Sequence, residues 1–211
     1  MRLRLAFAML CLATTAGGGT IEEFTLGLGG VDHAVLRMRF EVTFMKIDVA
    51  DIEVLLTPAT AEDVGRIVAA DGISKDEKIG RIAEQVLAAD TLSVRMTYHR
   101  DGDFGRFEKG IRSSLDAALE SGSLSTEERD AVWASLSGEF GALENRGVMK
   151  GEHLSYRVDD DRLIMVASVP DGSELLRIER TGQEFARWIK GGHFGEKSRF
   201  RKKLIESLLD G

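Results

Sequence analysis

Apolar and polar residues alternate through residues 34–56, with Met38, Phe40, Val42 and Phe44 on one face and Arg37, Arg39, Glu41 and Thr43 on the other. That is the period of a strand packed on one side and wet on the other. The stretch is too long for one strand and predicts two, with Asp48 to Asp51 as the turn or bulge between them. Leu92, Val94, Met96 and Tyr98 predict a third strand, ended by Asp101-Gly102-Asp103. Residues 152–158 and 162–169 predict a hairpin turned at Asp159-Asp160-Asp161, and Leu176 and Ile178 alternate with Arg177 and Glu179 in a last strand that stops at Thr181-Gly182.

The intervening segments change to helical spacing. Pro58 ends the long extended region and Thr60 opens a helix carrying Val64, Ile67 and Val68. Ser74 with Glu77, Ser125 with Glu128 and Thr181 with Glu184 each have the spacing of a capping box. Ile79, Ile82, Ala83, Val86 and Leu87 form one apolar stripe; Phe104, Phe107, Ile111, Leu115 and Leu119 form another; Val132, Trp133, Leu136 and Phe140 form a third. Phe185, Trp188 and Ile189 recur at helical spacing until Gly191-Gly192, and Phe200, Leu204, Ile205, Leu208 and Leu209 face away from Arg201, Lys202 and Lys203 in a final helix. Strands first and last, with helices grouped between and after them, predict an α+β domain: an antiparallel sheet with helices packed on one face.

The 211 residues are 43% hydrophobic and 30% charged, enough for one domain with a real core, and no linker divides residues 19–211. Residues 1–18 have the form of a signal peptide: Arg2 and Arg4, a short apolar run, then small residues Thr14 to Gly18. The expectation is a periplasmic or secreted protein whose only cysteine, Cys11, leaves with the signal. Loss of Arg2 and Arg4 takes the formal charge from -7 to -9, which argues against broad nucleic-acid binding. A local basic cluster, Arg187, Lys190, Lys197, Arg199 and Arg201 to Lys203, leaves a weak contact with a membrane surface or an acidic partner as one alternative.

No cofactor or metal signature emerges. The cluster Gly27, Gly29 and Gly30 has no glycine at the third position of the G-x-G-x-x-G spacing and no following helix of a dinucleotide loop, and the four histidines are not at ligand spacing. Oligomeric state is not legible.

Four landmarks recur in a telling order: the glycine-rich opening before the long extended segment, Met45-Lys46-Ile47, Lys150-Gly151-Glu152 with Tyr156, and Glu184-Phe185-Ala186 with Trp188. Together they resemble the chalcone-isomerase-like family over most of residues 19–211, which implies an open-faced sandwich. In the plant isomerases of that family an arginine on the long strand, a threonine two residues past the lysine, and a tyrosine and an asparagine on a later helix surround the substrate during an intramolecular ring closure. Here the threonine position is Asp48, whose charge repels a phenolate. Phe104 or Phe107 stands in place of the tyrosine and cannot donate a hydrogen bond, and no asparagine follows on that helix. Arg37 and Arg39 have strand parity opposite to Asp48 and share its face only across a bulge.

The resemblance therefore implies a non-catalytic relative. Family members with lost catalytic residues hold fatty acids, so an apolar carboxylate is the expected ligand. Arg37, Met96, Tyr98, Phe104, Phe107 and Thr181 are the candidate binding residues. Two other readings stay open: an isomerase or intramolecular lyase on another substrate, with Asp48 as base and Arg37 or Arg39 as charge stabiliser, and an interaction module built on the basic C-terminal helices.

Overall fold

The computed structural model describes residues 34–44 and 47–210, with side chains described from Val49 onward. Its centre is an antiparallel meander of six strands in sequence order: β1 (Ala34–Phe44), β2 (Ile47–Leu56), β3 (Thr91–Tyr98), β4 (His153–Asp159), β5 (Arg162–Ser168) and β6 (Glu174–Thr181). Helices α1 (Pro58–Ala69) and α2 (Lys75–Ala88) join β2 to β3. Helices α3 (Phe104–Glu120) and α4 (Thr126–Ser137) and the single turn α5 (Gly141–Glu144) join β3 to β4. Helices α6 (Gln183–Phe194) and α7 (Arg201–Leu209) follow β6. The α+β class with helices on one sheet face is as the sequence pattern implies. The signal-like segment lies outside the described residues.

Strand alternation sets which residues meet the helices. Ile52, Val54 and Leu56 on β2, Leu92 and Val94 on β3, and Leu154, Tyr156 and Val158 on β4 join the buried helix faces in one core. At ~1.5–3 kcal/mol for each large apolar side chain removed from water, that shared interior is the main stabilising contribution. The opposite face carries pairs such as Glu53 with Arg95, directly across the β2–β3 ladder, where Arg95 Nη2 donates to Glu53 Oε2 at 2.6 Å.

At the β1–β2 junction Asp48 to Asp51 lie within β2 and hold the bulge, the second of the two expected forms: Glu41 faces Asp51 and Thr43 faces Asp48, so β2 carries one residue more than β1 over that stretch. Asp51 pairs across with Glu41 and again with Thr97 of β3, so the acidic run continues the ladder on both sides rather than turning the chain.

Two helix ends differ from expectation. Gly182, at φ +147°, occupies the N-cap of α6 without a side-chain cap, and Thr181 stays in the ladder opposite Arg162; the capping box with Glu184 does not form because the sharp exit from β6 needs glycine there. Nor do Gly191 and Gly192 end α6, which runs on to Phe194. They admit α3 and the turn after it at close range: a Cβ at Gly192 would overlap Ser114 Oγ, and one at Gly191 would lie 2.5 Å from Ser123 Oγ.

The long excursion between β3 and β4 is pinned where it leaves and returns. Gly102 and Val148 form an isolated antiparallel bridge, their amides donating to each other's carbonyls at 2.8 and 2.9 Å. Beside it the buried Glu152 carboxylate accepts from Arg146 Nη2 at 2.5 Å and from the Met149 amide at 2.8 Å.

Candidate ligand-binding site

A slot of about 150 Å³ lies between the sheet and the helices, next to that bridge. An apolar void of this size accepts a group the size of a benzene ring or a short length of alkyl chain. Its floor is Ala50 of β2, Met96 and Tyr98 of β3, and Leu154 and Tyr156 of β4, brought to one face by their shared strand parity. The roof is Phe107, Ile111 and Ser114, which recur along α3, with His193 of α6 and Phe200 beyond it. Arg100, Arg106 and Arg199 add cations to the lining and Asp101 a carboxylate, with Gly102 and Val148 of the bridge beside them.

Burial governs the titratable groups. It raises the Tyr98 phenol, with Glu152 adding to the effect, and raises Tyr156 well above the ordinary tyrosine value, with Tyr98 as a smaller contributor. Both are neutral hydrogen-bonding groups at neutral pH. Burial lowers His193 to about 4, reinforced by the nearby Arg199 and opposed by the hydrogen bond to Ile189. Arg199 is exposed as a residue, yet its guanidinium carbon sits 4.8 Å from the Phe200 ring centroid, and desolvation pulls its pKa below the usual arginine value.

Several of these groups have no protein partner. Among the described residues no hydrogen bond reaches the hydroxyls of Tyr98 or Tyr156, and Arg100 and Arg199 have no acidic partner. Arg106 is held by Asp103 at 3.2 Å. Polar groups that line an apolar cavity without partners are the means by which a pocket fixes the orientation of a ligand.

The structure brings some of the sequence-derived candidates together and separates others. Met96, Tyr98 and Phe107 line the slot. Phe104 lies behind it in an aromatic cluster, 6.0 Å from Phe107 and 6.5 Å from Phe140 between ring centroids. Thr181 is exposed at the end of β6, apart from the lining. Arg39 stands opposite Glu53 in the β1–β2 ladder, Asp48 opposite Thr43, and Arg37 at the register shift between Ala34 and Met38; the side chains of all three lie outside the described residues.

Arg100, Arg106, Ser114, His193, Arg199 and Phe200 escape sequence reasoning as site residues: Arg106 and Ser114 are polar positions on α3 outside its apolar stripe, and the others reach the slot from separate segments. Arg199 was legible only as part of the basic C-terminal cluster. That cluster is partly spoken for: Arg187 pairs with Glu128, Lys190 donates to the Ala89 carbonyl, and Lys202 lies 3.9 Å from Glu206. Among the described residues no helix is long and apolar enough to cross a membrane.

No family model and no curated protein matches the sequence. Among solved structures, the fold matches the crystal structure of an Arabidopsis thaliana fatty-acid binding protein with a TM-score of 0.52, at 13% identity, over 83% of this chain and 87% of that one. That protein is chalcone-isomerase-like, so the likeness read from the landmarks holds as a likeness of fold. At this identity it establishes the architecture alone.

Proposed function

We propose that this protein binds an apolar carboxylate, such as a fatty acid, in the slot between the sheet and α3, and that it does so as an exported binding protein rather than an enzyme. The observation that carries the reading is the slot itself: apolar walls, the phenols of Tyr98 and Tyr156 without protein partners, and the cations Arg100 and Arg199, which have no acidic partner, in its lining. A guanidinium recognises a carboxylate through charge-assisted hydrogen bonds, and partial desolvation strengthens that contact. The fatty-acid binding protein of the same fold supports the choice of ligand class, and the signal-like residues 1–18 support export.

The test combines native and denaturing mass spectrometry on protein exported by a bacterial host, followed by calorimetric titration of the stripped protein with octanoate. The expected result is a processed chain that retains a small carboxylic acid, binds octanoate, and loses about tenfold in affinity on Arg199→Ala. A stripped protein that takes up no octanoate at millimolar concentration sinks the ligand reading, and an unprocessed chain sinks export.

A further inference from the structure

The α6 wall of the slot carries chemistry that a plain fatty acid leaves unused. His193 is 3% exposed, and its Nδ1–H donates to the Ile189 carbonyl at 2.8 Å. The carbonyl can only accept, so the neutral ring carries its proton on Nδ1 and presents Nε2 as an acceptor. Nε2 has no partner among the described residues, and His193 lines the cavity. Next to it, Tyr156 is 3% exposed with its ring centroid 6.3 Å from the imidazole, and its hydroxyl is likewise without a partner. Ser114 Oγ receives Trp188 Nε1–H at 3.2 Å, which leaves its own proton to donate.

This wall therefore offers an acceptor that cannot donate, beside two hydroxyls. A carboxylate turned toward it would set its lone pairs against that of Nε2, and burial opposes the protonation that would relieve the conflict. An alkyl chain would cover all three groups without replacing the hydrogen bonds they make to water, which loses affinity. A hydroxyl fits, because it donates to Nε2 and accepts from Tyr156 or Ser114.

We propose that the slot selects a hydroxylated apolar carboxylate, with His193 as the specificity residue that accepts the ligand's hydroxyl proton and with Tyr156 and Ser114 beside it. The inference rests on the carboxylate-binding reading above and adds a second recognition point to it. A satisfied hydroxyl favours binding, whereas a buried hydroxyl without a partner opposes it, so the sign of the effect is diagnostic.

The experiment is calorimetric titration of the stripped wild-type protein with octanoate, 3-hydroxyoctanoate and 8-hydroxyoctanoate, repeated with His193→Phe, His193→Gln and Tyr156→Phe. In the wild type one of the hydroxy acids is expected to bind about tenfold more tightly than octanoate. His193→Phe should bring the ratio of hydroxy-acid to octanoate affinity down to about one whatever it does to octanoate binding itself, and His193→Gln, which retains an acceptor, should keep part of the preference. If both hydroxy acids bind no better than octanoate, or if the preference survives His193→Phe, the hydroxyl inference is overturned while the carboxylate reading stands. If none of the three acids binds, the carboxylate reading fails first and takes this inference with it. Should His193→Phe not fold, the wild-type ratio and Tyr156→Phe still decide.

Discussion

Gly147 packs directly against the bridge beside the slot, where a side chain has no room. Its φ is +67°, and a Cβ there would overlap the Gly102 carbonyl oxygen and come within 3.0 Å of Asp103 Cα. The left-handed backbone alone costs a non-glycine residue ~1–2 kcal/mol, and crowding against fixed backbone adds ~1–3 kcal/mol. The carbonyl in the way accepts the Val148 amide, so it cannot swing aside without opening the bridge that pins the β3–β4 excursion. Gly147→Ala is therefore expected to lower unfolding stability by at least about 2 kcal/mol in urea denaturation with an unchanged slope. Octanoate affinity should fall with it, because Gly102 and Val148 both line the cavity. A change within experimental error would show that the bridge is softer than its geometry implies.

At the scale of elements, local chemistry and tertiary demand can be told apart. Ser125 forms both arms of its capping box, accepting from the Glu128 amide at 3.2 Å while its own amide donates to Glu128 Oε2 at 2.8 Å. Hydrogen bonds hold both neighbouring carboxyls below their ordinary values: Glu127 through its own amide and the Ser125 hydroxyl, and Glu128 through the Ser125 amide with Arg187 adding to it. Ser125→Ala should cost about 1 kcal/mol, read as a lowered melting temperature, and a glycine there should cost less. All six strands and the amphipathic helices were legible because each rests on a period within its own segment. Thr181 with Glu184 had the same local spacing as Ser125 with Glu128 yet forms no box, since the geometry of the β6–α6 corner overrides it. Gly191-Gly192 read as a stop signal, but Ser114 and Ser123 lie far off in sequence, and nothing local announces that they need glycine opposite. The slot divides in the same way. Met96, Tyr98 and Phe107 follow from strand parity and helix face, whereas His193 and Arg199 reach the cavity only through the packing of α6 on α3 and the sheet.

For the molecule as a whole, His193 couples the slot to stability. Its folded value of about 4 lies below the unfolded 6.5, so between those limits the unfolded chain binds more protons. Stability is then fully present above about pH 6.5 and declines as the pH falls, by about 3 kcal/mol near pH 4. The groups around the ring, Tyr156 and Arg199, keep their charge states over that range. The difference in stability between wild type and His193→Gln, measured from pH 4 to pH 7.5, should show this slope; a flat difference would mean that the imidazole is solvated. The excursion, α6 and Phe200 close over a floor laid down by the adjacent strands β2, β3 and β4. In the order of synthesis the floor and α3 both emerge before residues 193–200, so a nascent chain presents a slot open on its α6 side until the last helices arrive. Completion of the slot is in this sense a late act of making the protein, and a chain cut short before Gln183 would keep all six strands and α3 but lose His193, Arg199 and Phe200 from the cavity wall.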